Sequence, residues 1–126
     1  MLNARVVSHK DQRYDTAGDW WWNGDELEVR VSNLNDWRYH FLILIHEVVE
    51  ACWCKFNRLD QRSVTEFDKK YLEDQKVGKY KEWEEPGDDP SSPYHLGHSI
   101  ASGVERAVAF MMCVNWKAYN NSVMSL

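Results

Sequence analysis

The stretch Phe41–Cys54, FLILIHEVVEACWC, restricts this chain more than any other. Eleven of its fourteen residues are apolar or cysteine, and the polar remainder is His46, Glu47 and Glu50. At 3.6 residues per turn His46 and Glu50 share a face, flanked by Leu42 and Trp53. A helix that is apolar nearly all round belongs inside a protein. An unpaired carboxylate buried there is costly or takes up a proton. Two glutamates in such a helix therefore call for a metal ion, a cationic partner or an open cleft, and the metal ion is favoured of the three.

At 126 residues the chain is expected to form one domain, 1–126, large enough for its own core. A formal charge of −5 argues against a phosphate-binding surface, so no nucleic-acid partner is expected. The N-terminal MLNARVVSHKDQRYD lacks the apolar segment of a signal peptide, and no apolar run is long enough to span a bilayer. Cys52, Cys54 and Cys113 form an odd set without C-x-x-C spacing, which suits reduced core thiols. A cytoplasmic protein without membrane contact is the expectation.

The segment ARVVS near the N-terminus offers a short first strand. A stronger signal is DWWW-NG-DELEVRV, where Asn23-Gly24 suits a two-residue hairpin turn and Leu27, Val29 and Val31 alternate with charged residues. The rings of Trp20–Trp22 should then alternate between faces, as sheet packing or as a shelf for a ligand. Asn33–Asp36 breaks the strand and caps a central helix over 36–57. Ser63-Val-Thr-Glu66 reads as a capping box opening a second helix that fades near Gly78. Pro86–Pro90 reads as an acidic surface loop. Ser92-Pro93 should start a third helix running to about Val114, followed by a last helical turn and a frayed tail. The fold class expected is α+β: a small N-terminal antiparallel sheet packed on three main helices, with a zincin-like arrangement as one form it could take.

On the third helix His98, Ser102 and Glu105 share a face, and His95 lies one turn earlier. Small residues Ala101–Gly103 would let the His46 helix approach there. His46, Glu50 and His98 would then make a two-His, one-carboxylate metal site with an open position, and Glu105 or His95 could add a ligand. Zinc suits such a set, and manganese or iron suits a harder one. His9 and His40 are assigned no role. Singly, each residue has a plainer reading, because helical histidines usually hydrogen-bond and Glu47 could pair with Arg38 or Arg106.

His46-Glu47-x-x-Glu50 resembles half of the H-E-x-x-H signature of zincin metallopeptidases. That resemblance implies His46 and Glu50 as ligands and Glu47 as the general base that deprotonates an ion-activated water. Glu50 stands where the family has its second histidine. The strings NLNDWRYHFLILIHEVVEA, EFD and EPGDDPSSPYHLGHSIASGVERAVA resemble a family of small uncharacterised proteins encoded by tailed phages and bacteria. This second likeness spans about Gly18 to Trp116 and implies a cytosolic, single-domain protein; it supplies no activity.

Three functions follow as expectations. The first is a metal-dependent hydrolase, zincin-like, with Glu47 as base and a peptide or small molecule as substrate, an exposed edge of the Glu26–Val31 strand holding an extended peptide. The second is a MazG-like nucleotide pyrophosphohydrolase, in which Glu47-x-x-Glu50 would hold magnesium with Glu66 or Asp68. Lys69 stands where that pattern wants aspartate, and basic residues are not clustered. The third is a non-catalytic binding protein with a structural metal or ion network, aimed at a host protein if phage-encoded.

Overall fold

The computed structural model describes residues 1–126 throughout. Three strands, β1 (Leu2–Val7), β2 (Gly18–Asn23) and β3 (Glu26–Ser32), precede four helices, α1 (Trp37–Phe56), α2 (Gln61–Lys76), α3 (His95–Met111) and α4 (Trp116–Met124). The α+β class is as expected. The sheet is not wholly antiparallel, however: its order is β1-β3-β2, with β2 antiparallel and β1 parallel to β3. The cause lies in residues 8–17, which cross the C-terminal end of β3 instead of turning back beside β1. Ser32, fully buried, ties that crossing down through its hydroxyl, which meets His9 Nδ1, Gln12 Nε2 and the Thr16 carbonyl.

The β2–β3 hairpin forms, with its loop one residue later than Asn23-Gly24. Asn23 pairs with Glu26, leaving Gly24-Asp25 as the turn. Gly24 has φ +65 while Asp25 is not among the positive-φ residues, which suits a type II′ turn with glycine first. Trp20 and Trp22 share the inner face with Leu27 and Val29, and Trp21 lies outside between the guanidinium groups of Arg13 and Arg30.

Helix α1 begins at the expected place, its first turn capped by Asp36, whose side chain accepts from the Arg38 N–H. Its run of Ile43, Ile45, Val48 and Val49 gives no local preference for a helix, since each β-branched residue costs up to about 0.7 kcal/mol relative to alanine. Burial decides: Leu42, Ile43, Ala51 and Cys54 sit in the core with Trp20, Leu27, Val29 and Val31, and each fully buried aliphatic side chain contributes about 1.5–3 kcal/mol. Asp60, not Ser63, caps α2, and α3 starts at His95 after a turn over Ser92–Tyr94. The expected last turn is a full fourth helix, capped by Asn115, which delivers Tyr119 to the core. Cys54 is a buried thiol, whereas Cys52 and Cys113 are exposed, contrary to the expectation that all three lie in the core.

Candidate metal centre

The inner face of α1 meets α3 at one polar cluster inside the core. His46 and Glu50 come from α1 at helical spacing, and His98 comes from α3; all three are buried. His46 Nε2 lies 3.2 Å from Glu50 Oε2 and 3.1 Å from His98 Nδ1, and His98 Nδ1 lies 3.1 Å from the same Glu50 oxygen. The imidazole rings are 4.8 Å apart, edge to face.

Donor atoms about 2.1 Å from a common ion stand about 3.0 Å apart at right angles and about 3.4 Å apart at the tetrahedral angle. The observed separations of 3.1–3.2 Å fall between those limits, so this donor set fits a transition-metal cation. The outer nitrogens reinforce the fit. His46 Nδ1 faces Glu105 Oε1 at 3.1 Å, and His98 Nε2 faces Glu85 at 3.2 Å and Asp88 at 3.3 Å. Each imidazole thus has a carboxylate acceptor on one side, freeing its other nitrogen for the cluster.

Charge in this cluster is strongly coupled. Burial pulls the His46 imidazole down, but hydrogen bonds to Glu105 and Glu50 outweigh it and bring it to about 10. His98, likewise opposed by burial, is carried to about 12 by Asp88, Glu50 and Glu85. Burial alone would raise Glu50; the two imidazoles hold it down at about 2. Two imidazolium rings with facing nitrogens 3.1 Å apart would repel one another. A divalent cation between neutral rings carries the same charge without that conflict.

Around the cluster β2, α1 and the Pro86–Asp88 turn supply further neighbours. The Trp20 indole donates to Glu50 Oε1 at 2.9 Å, so both oxygens of that carboxylate are engaged. Glu47 projects into the adjoining cavity of about 260 Å³, which His46, Glu50 and His98 also line. Burial, and then the charge of Glu50, push the Glu47 carboxyl well above its ordinary range; no hydrogen bond contributes. Gly18 on β2 makes room for it, because a Cβ there would stand 2.5 Å from Glu47 Oε1. On the other side, a Cβ at Gly87 would meet the His98 ring at 2.3 Å, so only glycine lets the Pro86–Asp88 turn lie against that imidazole.

No family model, curated protein or solved structure matches the chain. The chemistry of the centre therefore rests on its own geometry.

Of the residues singled out from sequence, His46, Glu50 and His98 converge, and Glu47 stands beside them. Glu105 joins them from the far side of the His46 ring, where it cannot share an ion with Nε2. His95 is turned away, its Nδ1 bonded to the Gly87 carbonyl at 2.8 Å. Glu47 pairs with neither Arg38, which binds Asp36, nor Arg106, which stacks on Trp116. Sequence reasoning missed Trp20, Tyr119, Glu85 and Asp88 as neighbours of the cluster. It also missed the group behind it, where Tyr14 and Tyr94 both donate to the buried Asp68. The acidic loop was visible as a motif, but its packing onto His98 was not.

Proposed function

We propose that this chain is a metal-dependent hydrolase that uses water to cleave an amide or ester, with a transition-metal cation held by His46, Glu50 and His98 and with Glu47 as general base. The observation that carries this reading is the meeting of two imidazole nitrogens and one carboxylate oxygen within 3.2 Å of one another, at one end of a cavity. Zinc is the first choice, with manganese or iron as harder alternatives. Bound there, the ion would act as a Lewis acid and make water more acidic.

The protein's own groups divide the remaining work. Glu47 has the raised proton affinity that a general base needs, and it is not tied to another side chain. Glu50 is held by the Trp20 indole, so it keeps one oxygen for the cluster. Three free cysteines suit a reducing cytoplasm.

The cavity narrows the substrate. Its lining holds nine aspartates and glutamates and no lysine or arginine. Such walls favour an uncharged or amine-bearing group and repel a triphosphate, which counts against nucleotide hydrolysis of the MazG-like kind. Peptide addition along Glu26–Val31 is also closed, since β3 is the central strand, paired on both sides. The free edge at β2 is engaged too: the Gln61 amide accepts from the Trp22 N–H at 2.7 Å and donates to the Trp22 carbonyl at 3.0 Å. A substrate would instead enter the cavity end-on, with one small group reaching the cluster.

A second reading has one observation in its favour, that every contact in the cluster is also at hydrogen-bond distance. The centre would then be a buried ion network in a non-catalytic protein, directed at a host protein if phage-encoded. Elemental analysis of protein purified without added metal separates the two. The hydrolase reading expects about one equivalent of a transition metal, lost in His46→Ala, together with hydrolysis of small amine-bearing amides or esters that falls by about 100-fold or more in Glu47→Gln. Metal-free protein, with His46→Ala behaving as an ordinary core substitution, contradicts it.

A further inference from the structure

The two imidazoles differ in what stands behind them. Glu85 and Asp88, behind His98, lie on a surface turn with side chains 49% and 57% exposed, where water can replace them. Behind His46 is Glu105, buried, whose two oxygens are used separately. Oε1 faces His46 Nδ1 at 3.1 Å, and Oε2 accepts from the Tyr119 hydroxyl at 3.0 Å. Tyr119 is itself buried and packs against Tyr39 and Trp116 with ring centroids 5.1 and 5.3 Å away. A chain of three side chains thus runs from α4 through α3 to α1.

We propose that Glu105 is a positioning residue for His46, and that Tyr119 holds Glu105 in that role, which makes the C-terminal helix part of the metal centre. This rests on reading His46, Glu50 and His98 as cation ligands. The reasoning is one of tautomers. A neutral imidazole carries one hydrogen, and a carboxylate accepting at Nδ1 keeps it there. Nε2 then presents its lone pair toward Glu50 and His98. In Glu105→Gln the Tyr119 hydroxyl keeps the amide oxygen and the amide N–H₂ faces Nδ1, so the imidazole hydrogen moves to Nε2 and blocks that nitrogen as a ligand. Glu105 is only 8% exposed, so water replaces it less readily than it replaces the half-exposed Glu85 and Asp88 behind His98. The hydroxyl of Tyr119 matters for a second reason: without it Glu105 can swing its second oxygen elsewhere, and the geometry at Nδ1 loosens.

The test is cation affinity, measured by titrating metal-stripped protein with zinc and with manganese against a competing chelator. Wild type, Glu105→Gln and Tyr119→Phe are compared, with melting temperatures of the stripped proteins as a control. The expected result is one equivalent bound by all three, with affinity 10- to 100-fold weaker in Glu105→Gln. Tyr119→Phe should be several-fold weaker while its stripped protein melts close to wild type. A purely structural Glu105 would lower the melting temperature and leave the affinity of folded protein alone. Equal affinities in wild type and both variants overturn the proposal while the centre stands. If Glu105→Gln does not fold, Tyr119→Phe decides alone. Wild type that binds neither ion removes the centre, and this proposal with it.

Discussion

His46, Glu47 and Glu50 lie within five residues of one apolar helix, yet each meets a different environment. Glu50 is answered by an indole and two imidazoles, His46 by Glu105, and Glu47 by no hydrogen bond at all. Asp68 is another buried acid, and it makes its own forecast. Burial raises its carboxyl to about 7 from 3.8, against hydrogen bonds donated by Tyr94 and Tyr14. The folded state then holds a proton that the unfolded chain releases near pH 4. Its stabilising contribution is complete below pH 4, falls as pH rises, and is gone above about 7. The difference in unfolding free energy between wild type and Asp68→Asn should therefore shift toward the variant between pH 4 and 8, by at most about 4 kcal/mol. Denaturant titrations at several pH values would show it; a difference that does not vary with pH would mean that Asp68 is ionised in the folded protein. The convergence of His46, Glu50 and His98 was legible in the sequence because helical spacing puts each on an inward face, and small residues mark where two helices approach. Trp20 and Tyr14 were not legible, since their partners lie 30 and 54 positions away and no local pattern records such contacts.

Elements announced themselves unevenly. Helix α1 could be read to within a residue at each end because its cap, its apolar run and its terminator all agree. The parallel placement of β1 could not, because adjacency in sequence favours a hairpin and the crossing over Ser32 depends on a buried hydroxyl with three partners. Nor could α4, whose only strong signal is Asn115, a cap accepting from the Ala118 N–H. The ends of α1 and α3 share a device. The Leu59 N–H reaches the Cys54 carbonyl and the Val114 N–H reaches the Ala109 carbonyl, with Arg58 at φ +57 and Cys113 at φ +54 in between. This left-handed position favours glycine. Cys113→Gly, at an exposed residue away from the cluster, should stabilise the protein by about 0.5–1 kcal/mol, a rise of roughly 2–4 °C in melting temperature. A lower melting temperature would show that the thiol makes a contact worth more than the backbone strain.

At the scale of the molecule, the sheet and α1 form a back wall, and α2, the Pro86–Asp88 turn and α4 close an acidic cavity over it. No helix is long and apolar enough to cross a membrane. The cavity's richness in carboxyl groups was only hinted at by a formal charge of −5, because the lysines and arginines lie outside it. The proposed cation position lies at the centre of this arrangement, and anomalous diffraction from a crystal grown with zinc tests it most directly. The account expects a single strong peak about 2.0–2.2 Å from His46 Nε2, His98 Nδ1 and a Glu50 oxygen, abolished in His98→Ala. A zinc-containing crystal with no peak among those three atoms, or with the metal bound only at surface carboxylates, would contradict it.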